Sequence, residues 1–415
     1  MTDDLMKSSG SRDAGNSTHA DEQRLYPKVR FRGFDEPWKK VKLEEISERV
    51  NGNDNRFNLP VLTISAKTGW MTQEDRFSGD ISGKQKKNYT LLHKGELSYN
   101  HGNSKVAKYG AVFSLQNYSE ALIPHVYHSF KIIKETTPVF IENFFKKKDV
   151  NKQLRKYISS SARMDGLLNI SYSDFMKVHL FISQKISETK QIDKIFEILN
   201  SLLSLQQRKL ELEKQLKKFC LQNILSDNKK CPNLRFHDFS TNWKKVKVGD
   251  IFTVTRGKVL SKDKISKTKD HIMKYPVYSS QTLNNGLLGY YHDYLFEDAI
   301  TWTTDGANAG TVRLRAGKFY GTNVNGVLLS KNGYVNDANA EALNQIAWKY
   351  VSKVGNPKLM NNVMQNIMFS IAPSVEEQVI ISKLFILHSK SLKIYQANIN
   401  VYTQLKQFLL QNLFI

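Results

Sequence analysis

Two stretches of the chain place apolar residues at helical spacing. Between 188 and 225, Ile192, Phe196, Leu199, Leu203 and Leu210 follow a 4-3-4-7 rhythm. Leu205, Leu212, Leu216 and Phe219 trace a second stripe at 7-4-3, and no Gly or Pro interrupts either. Between 376 and 414, Leu392, Tyr395, Ile399, Tyr402, Leu409 and Leu413 keep a 3-4-3-7-4 rhythm, with Lys406 on the seam. This spacing keeps one face apolar at 3.6 residues per turn and predicts two long amphipathic helices. Pro373 ahead of Glu376 and Glu377 suits a helix start, where a missing N–H is harmless and acids complement the dipole. A helix of about 37 residues spans roughly 55 Å, and the heptad stripes predict an antiparallel, coiled-coil-like pair.

Elsewhere the pattern shortens. TVTRGKVLSK, YPVYSSQ, GLLGYYHDYL, AITWTT, GTVRLRAGKFYG and GVLLSKNGY are short aromatic or β-branched runs bounded by Gly, Asn and Asp. LPVLTISAKTGW, YTLLHKGELSYN, GAVFSLQNY and HVYHSFKII behave likewise earlier in the chain. Such runs read as strands. NFFKKKDVNKQLRKYISS at 143–160 and ANAEALNQIAWKYVSK at 338–353 are more helical, so the fold class is α+β.

The patterned segments occur twice, as internal-repeat logic requires checking. PKVRFRGFDEPWKKVKLEEI at 27–46 aligns with PNLRFHDFSTNWKKVKVGDI at 232–251, ten of twenty positions identical at an offset of 205. At an offset of 189, ETKQIDKIF at 188–196 lies over EQVIISKLF at 377–385, and FCLQNIL at 219–225 over FLLQNLF at 408–414. The ends match and the middles do not. We therefore expect a disordered tail at 1–26, a reader domain at 27–180, a helix and linker at 181–231, a second reader at 232–370 and a second helix at 371–415. The reader domains form a pseudo-repeat of α/β units separated by the two helices.

Composition narrows the class. The 415 residues exceed one ordinary domain, and 40% hydrophobic residues are enough for packed cores. No apolar run reaches the length of a membrane span, and the N-terminus lacks the basic-then-apolar order of an export signal. Cys220 and Cys231 make neither a disulfide framework nor a zinc spacing, so a cytoplasmic, reducing location is expected. The net charge of +22 points to a polyanion. It concentrates as +10 over 27–180 and +8 over 232–370, whereas 1–26 is net −2.

Catalytic motifs are missing. The sequence has no Walker loop, no dinucleotide fingerprint, no H-E-x-x-H and no N-P-P or D-P-P methyltransferase tetrapeptide. Glu211-Leu212-Glu213-Lys214 resembles an acidic nuclease run, but it lies inside a heptad helix where its carboxylates are expected in solvent. His125 and His128 occupy a strand-like run and read as surface residues. We expect no catalytic residue, no metal site and no cofactor on this chain.

Binding chemistry is richer. GDISGKQKKNY at 79–89 clusters Lys84, Lys86 and Lys87 with Gln85; Lys takes phosphates, and Gln can pair with adenine edges. A solvated basic loop is the plainer reading of the same cluster. ISAKTGW offers Ser65, Lys67 and Thr68, and SYNHGNSKVAKYG offers Tyr99, Asn100, His101 and Lys105, both around glycines that let backbone approach a duplex. The second reader supplies Arg256, Lys258 and Lys262, then Ser279, Ser280, Gln281 and Thr282. TTDGANAGTVRLR adds Thr304, Asp305, Asn308, Arg313 and Arg315. The repeated Trp38 and Trp243 read instead as core anchors, and Cys220 as a small apolar filler.

The repeated R-F-x-x-F-x-x-x-W-K-K-V-K-[LV]-x-[DE]-I segment, the divergent basic middles and the helices ending in QNIL and QNLF resemble the specificity subunit of type I restriction–modification enzymes. The resemblance spans about 27 to 415, and TISAKTGWMTQEDRF and YPVYSSQ…TTDGANAGTV resemble stretches of that family's target recognition domains. It implies that each reader recognises one half of an interrupted double-stranded DNA site. It also implies helices that fix the gap and dock two modification (methyltransferase) subunits. S-adenosylmethionine, and ATP with Mg on a restriction/translocase subunit, then belong to partners, and no membrane is involved. The family's double-proline helix starts are replaced here by Ser183-Gln184 and Ala372-Pro373. A stand-alone DNA-binding regulator with two readers, or an adapter whose basic modules bind RNA or acidic proteins, remain alternative readings.

Overall fold

A computed structural model describes residues 6–8, 25–77, 83–102, 105–158, 167–225, 231–280 and 283–415, with backbone only at 6–8, 77, 83–85 and 283. The chain divides into two compact units, Met1–Leu205 with Ile399–Ile415, and Gln206–Asn398. The expected helices are Ile186–Ile224 and Val375–Asn412. The unit division falls inside both, not at the expected linker positions. Of the expected tail, Met6–Ser8 forms a strand against Val29–Phe31; residues 1–5 and 9–24 lie outside the described residues.

Each unit is framed by the matched ends of the repeat. In the first, Lys39–Lys42 pairs antiparallel with His179–Ile182, and the Leu43 N–H donates to the Val178 carbonyl at 2.9 Å. In the second, Lys244–Lys247 pairs antiparallel with Met368–Ile371, and Val248 N–H donates to Ile367 at 2.9 Å. These bonds join residues related by the two offsets found in sequence. The repeat is therefore reproduced down to single hydrogen bonds.

A buried polar clamp closes each frame. Glu188 accepts from Arg30 Nε at 2.6 Å and Nη2 at 3.0 Å, and from Trp38 Nε1 at 3.0 Å. Glu377 accepts from Arg235 Nε at 2.8 Å and Nη2 at 2.7 Å, and from Trp243 Nε1 at 3.2 Å. Both carboxylates are fully buried, where a charge is tolerated only when paired and hydrogen-bonded. The tryptophans are core anchors as expected, but their ring nitrogens also tie the opening segment to the helix start.

Ser183 Oγ accepts from the Lys185 N–H at 3.0 Å, and Ser374 Oγ from the Glu377 N–H at 3.2 Å. Ser at both places supplies the acceptor that orphan helix N–H groups need. The helices accordingly begin at Ile186 and Val375, slightly ahead of the expected positions.

Between the frames the sheets differ. The first unit holds a four-stranded antiparallel sheet in the order Ser47–Val50, His128–Ile132, Leu97–Asn100, Ala111–Ser114, plus two-stranded pairs of Leu62–Ser65 with Gly69–Thr72 and Thr90–His93 with Glu120–Ile123. The second holds a six-stranded sheet in the order Thr253–Arg256, Asn325–Leu329, Phe296–Thr303, Val312–Gly321, Tyr275–Tyr278, Leu287–Tyr291. Tyr275–Tyr278 runs parallel to Val312–Gly321, and the other pairings are antiparallel. The α+β expectation holds for both units.

The helices complete both cores. Ile192, Phe196 and Leu199 with Leu409, Leu413 and Phe414 join Trp38, Phe140 and Phe175 in the first unit. Cys220, Ile224 and Leu225 with Ile381 and Phe385 join Trp243, Trp302 and Phe369 in the second. Within the first unit Lys406 Nζ donates to Asn200 Oδ1 at 2.6 Å. Within the second, His388 Nδ1 meets Glu213 Oε1 at 2.5 Å. Higher numbers on one helix thus meet lower numbers on the other in each unit, as an antiparallel pair requires. Glu213 is turned into this seam, not into solvent as the sequence suggested.

The second apolar stripe faces solvent and not the seam. Leu205, Leu212, Leu216 and Phe219 are 47%, 53%, 50% and 53% exposed. The seam over 206–224 is carried instead by Glu213, Lys217, Cys220 and Ile224, whose side chains are buried or half-buried. That register is one residue, about 100° of helix, away from the leucine stripe. Leu203, Leu392, Tyr395, Ile399 and Tyr402 are half-buried.

Candidate nucleic-acid interface

In the first unit the hairpin Leu62–Ser65 with Gly69–Thr72 carries the ISAKTGW turn. Ser65 Oγ accepts the backbone N–H groups of Lys67 and Thr68 at 3.4 Å each, a Ser-centred turn. This shape leaves Lys67 and Thr68 exposed. Asn53 pins a neighbouring basic turn, its Nδ2 donating to the carbonyls of Lys86, Lys87 and Tyr89. Lys87 is exposed and Lys86 half-buried, whereas the side chains of Lys84 and Gln85 lie outside the described residues. Lys105 is exposed.

Three expected contact residues lie elsewhere. Tyr99 is 1% exposed, stacks on Phe175 at 4.3 Å, and its hydroxyl donates to the Tyr109 carbonyl at 2.7 Å. Burial pushes its phenol well above the ordinary range. His101 is 3% exposed, with Nδ1 on Leu168 O at 2.7 Å and Nε2 on Val126 O at 2.8 Å. Asn100 spends its amide on Ile64 O and its carbonyl on Gly102 N–H. These side chains shape the loop from inside and do not present to a ligand. His128, expected at the surface, stacks on His101 at 4.8 Å. Burial lowers it to about 4, so its ring is neutral at physiological pH.

In the second unit Arg256, Lys258 and Lys262 are exposed, and Ser279 and Ser280 half-buried; Gln281 and Thr282 lie outside the described residues. Thr304 is buried and donates to Asp305 Oδ2 at 2.6 Å; Asp305 lies 3.8 Å from Lys358 Nζ. Asn308 is half-buried. Thr304 and Asp305 thus hold their own turn.

Arg313 and Arg315 converge on Asn285. Arg313 Nη1 donates to Asn285 Oδ1 at 2.7 Å, and Arg315 Nη2 to Asn285 O at 2.8 Å. Arg315 Nε reaches Thr301 Oγ1 at 3.1 Å, and the guanidinium lies 3.7 Å from the centre of the Tyr278 ring. Only 8% of Arg315 is exposed, and burial draws it down to about 10. Asn284 and Asn285 both adopt left-handed backbone, at φ 50° and 55°, which Asn tolerates better than most side chains. The arginines and the polar stretch YSSQTLNNG at 278–286, which holds Tyr278 and Asn285, were legible in the sequence; Thr301 and the pairing of these residues with the arginines were not, because no local pattern marks a residue pairing at such separations.

No helix among the described residues is long and apolar enough to cross a membrane.

The comparisons with known proteins agree with one another. The family described as type I restriction modification DNA specificity domain matches residues 240–401. A type I specificity subunit N-terminus from Mycoplasma pneumoniae is 42% identical over 127 residues, 30% of this chain and 66% of that protein. Another type I specificity subunit from the same organism is 32% identical over 222 residues, 52% of this chain and 78% of that protein. This chain spans 66%, 37% and 56% of the first three such relatives. The crystal structure of a type I restriction–modification S subunit from M. genitalium shares the fold at 15% identity. Its TM-score is 0.63, covering 94% of this chain and 99% of that one.

Proposed function

This chain belongs to the type I restriction–modification specificity subunits, and on that premise we propose that it is the non-catalytic, DNA-reading subunit of a multi-subunit adenine methyltransferase and restriction complex. Its readers each address one half of an interrupted, asymmetric duplex target. The observation that carries this reading is the duplicated frame holding two dissimilar sheets. Identical sheets would call for a palindrome, whereas different sheets present different side chains to the two half-sites. The named residues Lys67, Thr68, Lys86, Lys87, Lys105, Arg256, Lys258, Lys262, Arg313 and Arg315 supply phosphate contacts and base-edge donors.

The helices set the gap between half-sites, and their exposed apolar stripe docks two methyltransferase subunits. Restriction/translocase subunits join the full complex. S-adenosylmethionine, and ATP with Mg, act on those partners and not on this chain. The net charge of +22 favours duplex association with strong salt dependence.

The deciding experiment replaces residues 50–175 with the equivalent segment of another specificity subunit and maps methylated sites by methylome sequencing. One half of the recognised sequence should change while the other half stays. Change in both halves overturns the two-reader assignment.

A further inference from the structure

Each unit contains a cavity walled by corresponding parts of the repeat. The first measures about 460 Å³ and the second about 580 Å³. Lys406 and Asn200 line the first, and Lys217 and Ser389 the second; both pairs are related by the 189-residue offset. Glu142, fifth after the helix cap Thr137, corresponds to Glu341, fifth after the cap Asn336. The strand walls begin after Gly110 and Gly310, both left-handed at φ +80° and +83°. A Cβ on Gly110 would lie 2.5 Å from the Asn100 carbonyl oxygen, so the wall can approach only as glycine.

Cations outnumber carboxylates in both cavities, and each keeps one cation, half-buried Lys406 or buried Arg315, hydrogen-bonded to neutral partners. Lys67, Lys108, Lys146 and Lys406 face Glu142 in the first. Glu142 is already committed, to Lys146 Nζ at 2.6 Å and to Ser114 N–H and Oγ at 3.0 and 2.7 Å. Lys406 hydrogen-bonds the Asn200 amide oxygen, and the carboxylate that acts on it, Glu142, is the one already held by Lys146 and Ser114. Burial, then Lys146, lower its amine to about 8. In the second cavity Lys217, Arg313, Arg315 and Lys393 face Glu341 and Asp337; Glu341 is taken by Lys217 at 2.7 Å, and burial, then Glu341, raise the Asp337 carboxyl above its ordinary range. Arg315 rests on Thr301, Asn285 and the Tyr278 ring, without a carboxylate among the described residues.

A partly desolvated cation whose hydrogen bonds go to neutral acceptors is completed by an anion offering several acceptor oxygens. We infer that each cavity holds one phosphate group, taken from the DNA backbone or from a free phosphate compound. Lys406 anchors it in the first cavity and Arg315 in the second. Lys67 on the ISAKTGW turn contributes to the same cavity as Lys406, joining reader to helix within that unit. The DNA source rests on the reading proposed above; the free-phosphate source does not.

The test measures duplex binding by fluorescence anisotropy against salt for the full chain and for Lys406→Gln, Lys67→Gln, Arg315→Gln and Lys393→Gln. Lys67 and Lys393 are exposed, so their substitution leaves folding intact, and Lys406→Arg keeps the charge. A DNA phosphate in the cavities lowers the slope of log K against log salt by about one for each charge removed, and Lys406→Arg restores it. Unchanged slopes, with inorganic pyrophosphate raising the melting temperature of the parent but not of Lys406→Gln, assign a free phosphate instead. Unchanged slopes together with no pyrophosphate effect overturn the inference. If the parent binds no duplex, the DNA-reading function fails, and the pyrophosphate measurement alone decides the cavities.

Discussion

Replacing Glu188 by Gln tests whether the clamp holds the first unit together. Glu188 is fully buried and accepts from Arg30, Trp38 and, at 2.5 Å, Ser183 Oγ. Gln preserves the shape and removes the charge, leaving a guanidinium that is 8% exposed without a counter-ion. Breaking a buried pair in this way costs about 3–5 kcal/mol. For a unit of this size each kcal/mol shifts the melting temperature by about 2–4 °C, so a fall of about 6–20 °C is expected. Hydrogen exchange read by mass spectrometry assigns the loss to a unit. Glu188→Gln should loosen the strands at Lys39–Lys42 and His179–Ile182 first, and Glu377→Gln their counterparts at Lys244–Lys247 and Met368–Ile371. In a double-mutant cycle, Arg30→Met combined with Glu188→Met should cost much less than the two single changes added. A loss below about 1 kcal/mol, or simple additivity, would refute the clamp, since paired residues in contact are coupled.

Burial raises Asp193 to about 6, its Oδ1 has no hydrogen-bond partner among the described residues, and Thr137 donates to its other oxygen. The folded chain therefore holds this proton more tightly than the unfolded chain. The buried charge costs about 2–3 kcal/mol near pH 7, a cost that disappears as pH falls through about 6 towards 4. Asp193→Asn should stabilise the protein at pH 7 and match the parent near pH 4 in urea titrations; a pH-independent difference rejects the assignment. Deleting one heptad from each long helix should alter the gap between methylated half-sites and leave their sequences intact, and an unaltered gap argues against a spacer role. Leu216→Asp with Phe219→Lys, on the exposed stripe, should abolish co-purification with the methyltransferase subunit at unchanged melting temperature. Retained co-purification would place the docking surface elsewhere.

Periodicity and duplication were legible because both are local or self-referential. The 3-4 rhythm around Ile192 and Phe196 marks a buried face without knowing its partner, and both residues lie in the first core. The offsets of 205 and 189 anticipated which segments form equivalent frames. The DNA-contact residues were legible only as composition. Lys67 and Arg256 sit on exposed segments, but Tyr99 and His101, with the same polar promise, are drawn inside by aromatic stacking and carbonyl partners.

The sequence by itself determined that one scaffold is built twice around unlike basic middles, since a repeat needs nothing outside the chain to be seen. Tertiary structure decided which of two apolar stripes is buried: a one-residue change of phase turns a helix face by about 100°, leaving Leu212, Leu216 and Phe219 exposed. It also decided that Arg30 answers Glu188 and that Lys406 meets Asn200. Partners separated by such lengths of chain are chosen by the packing of whole elements, and no local pattern in either segment names the other.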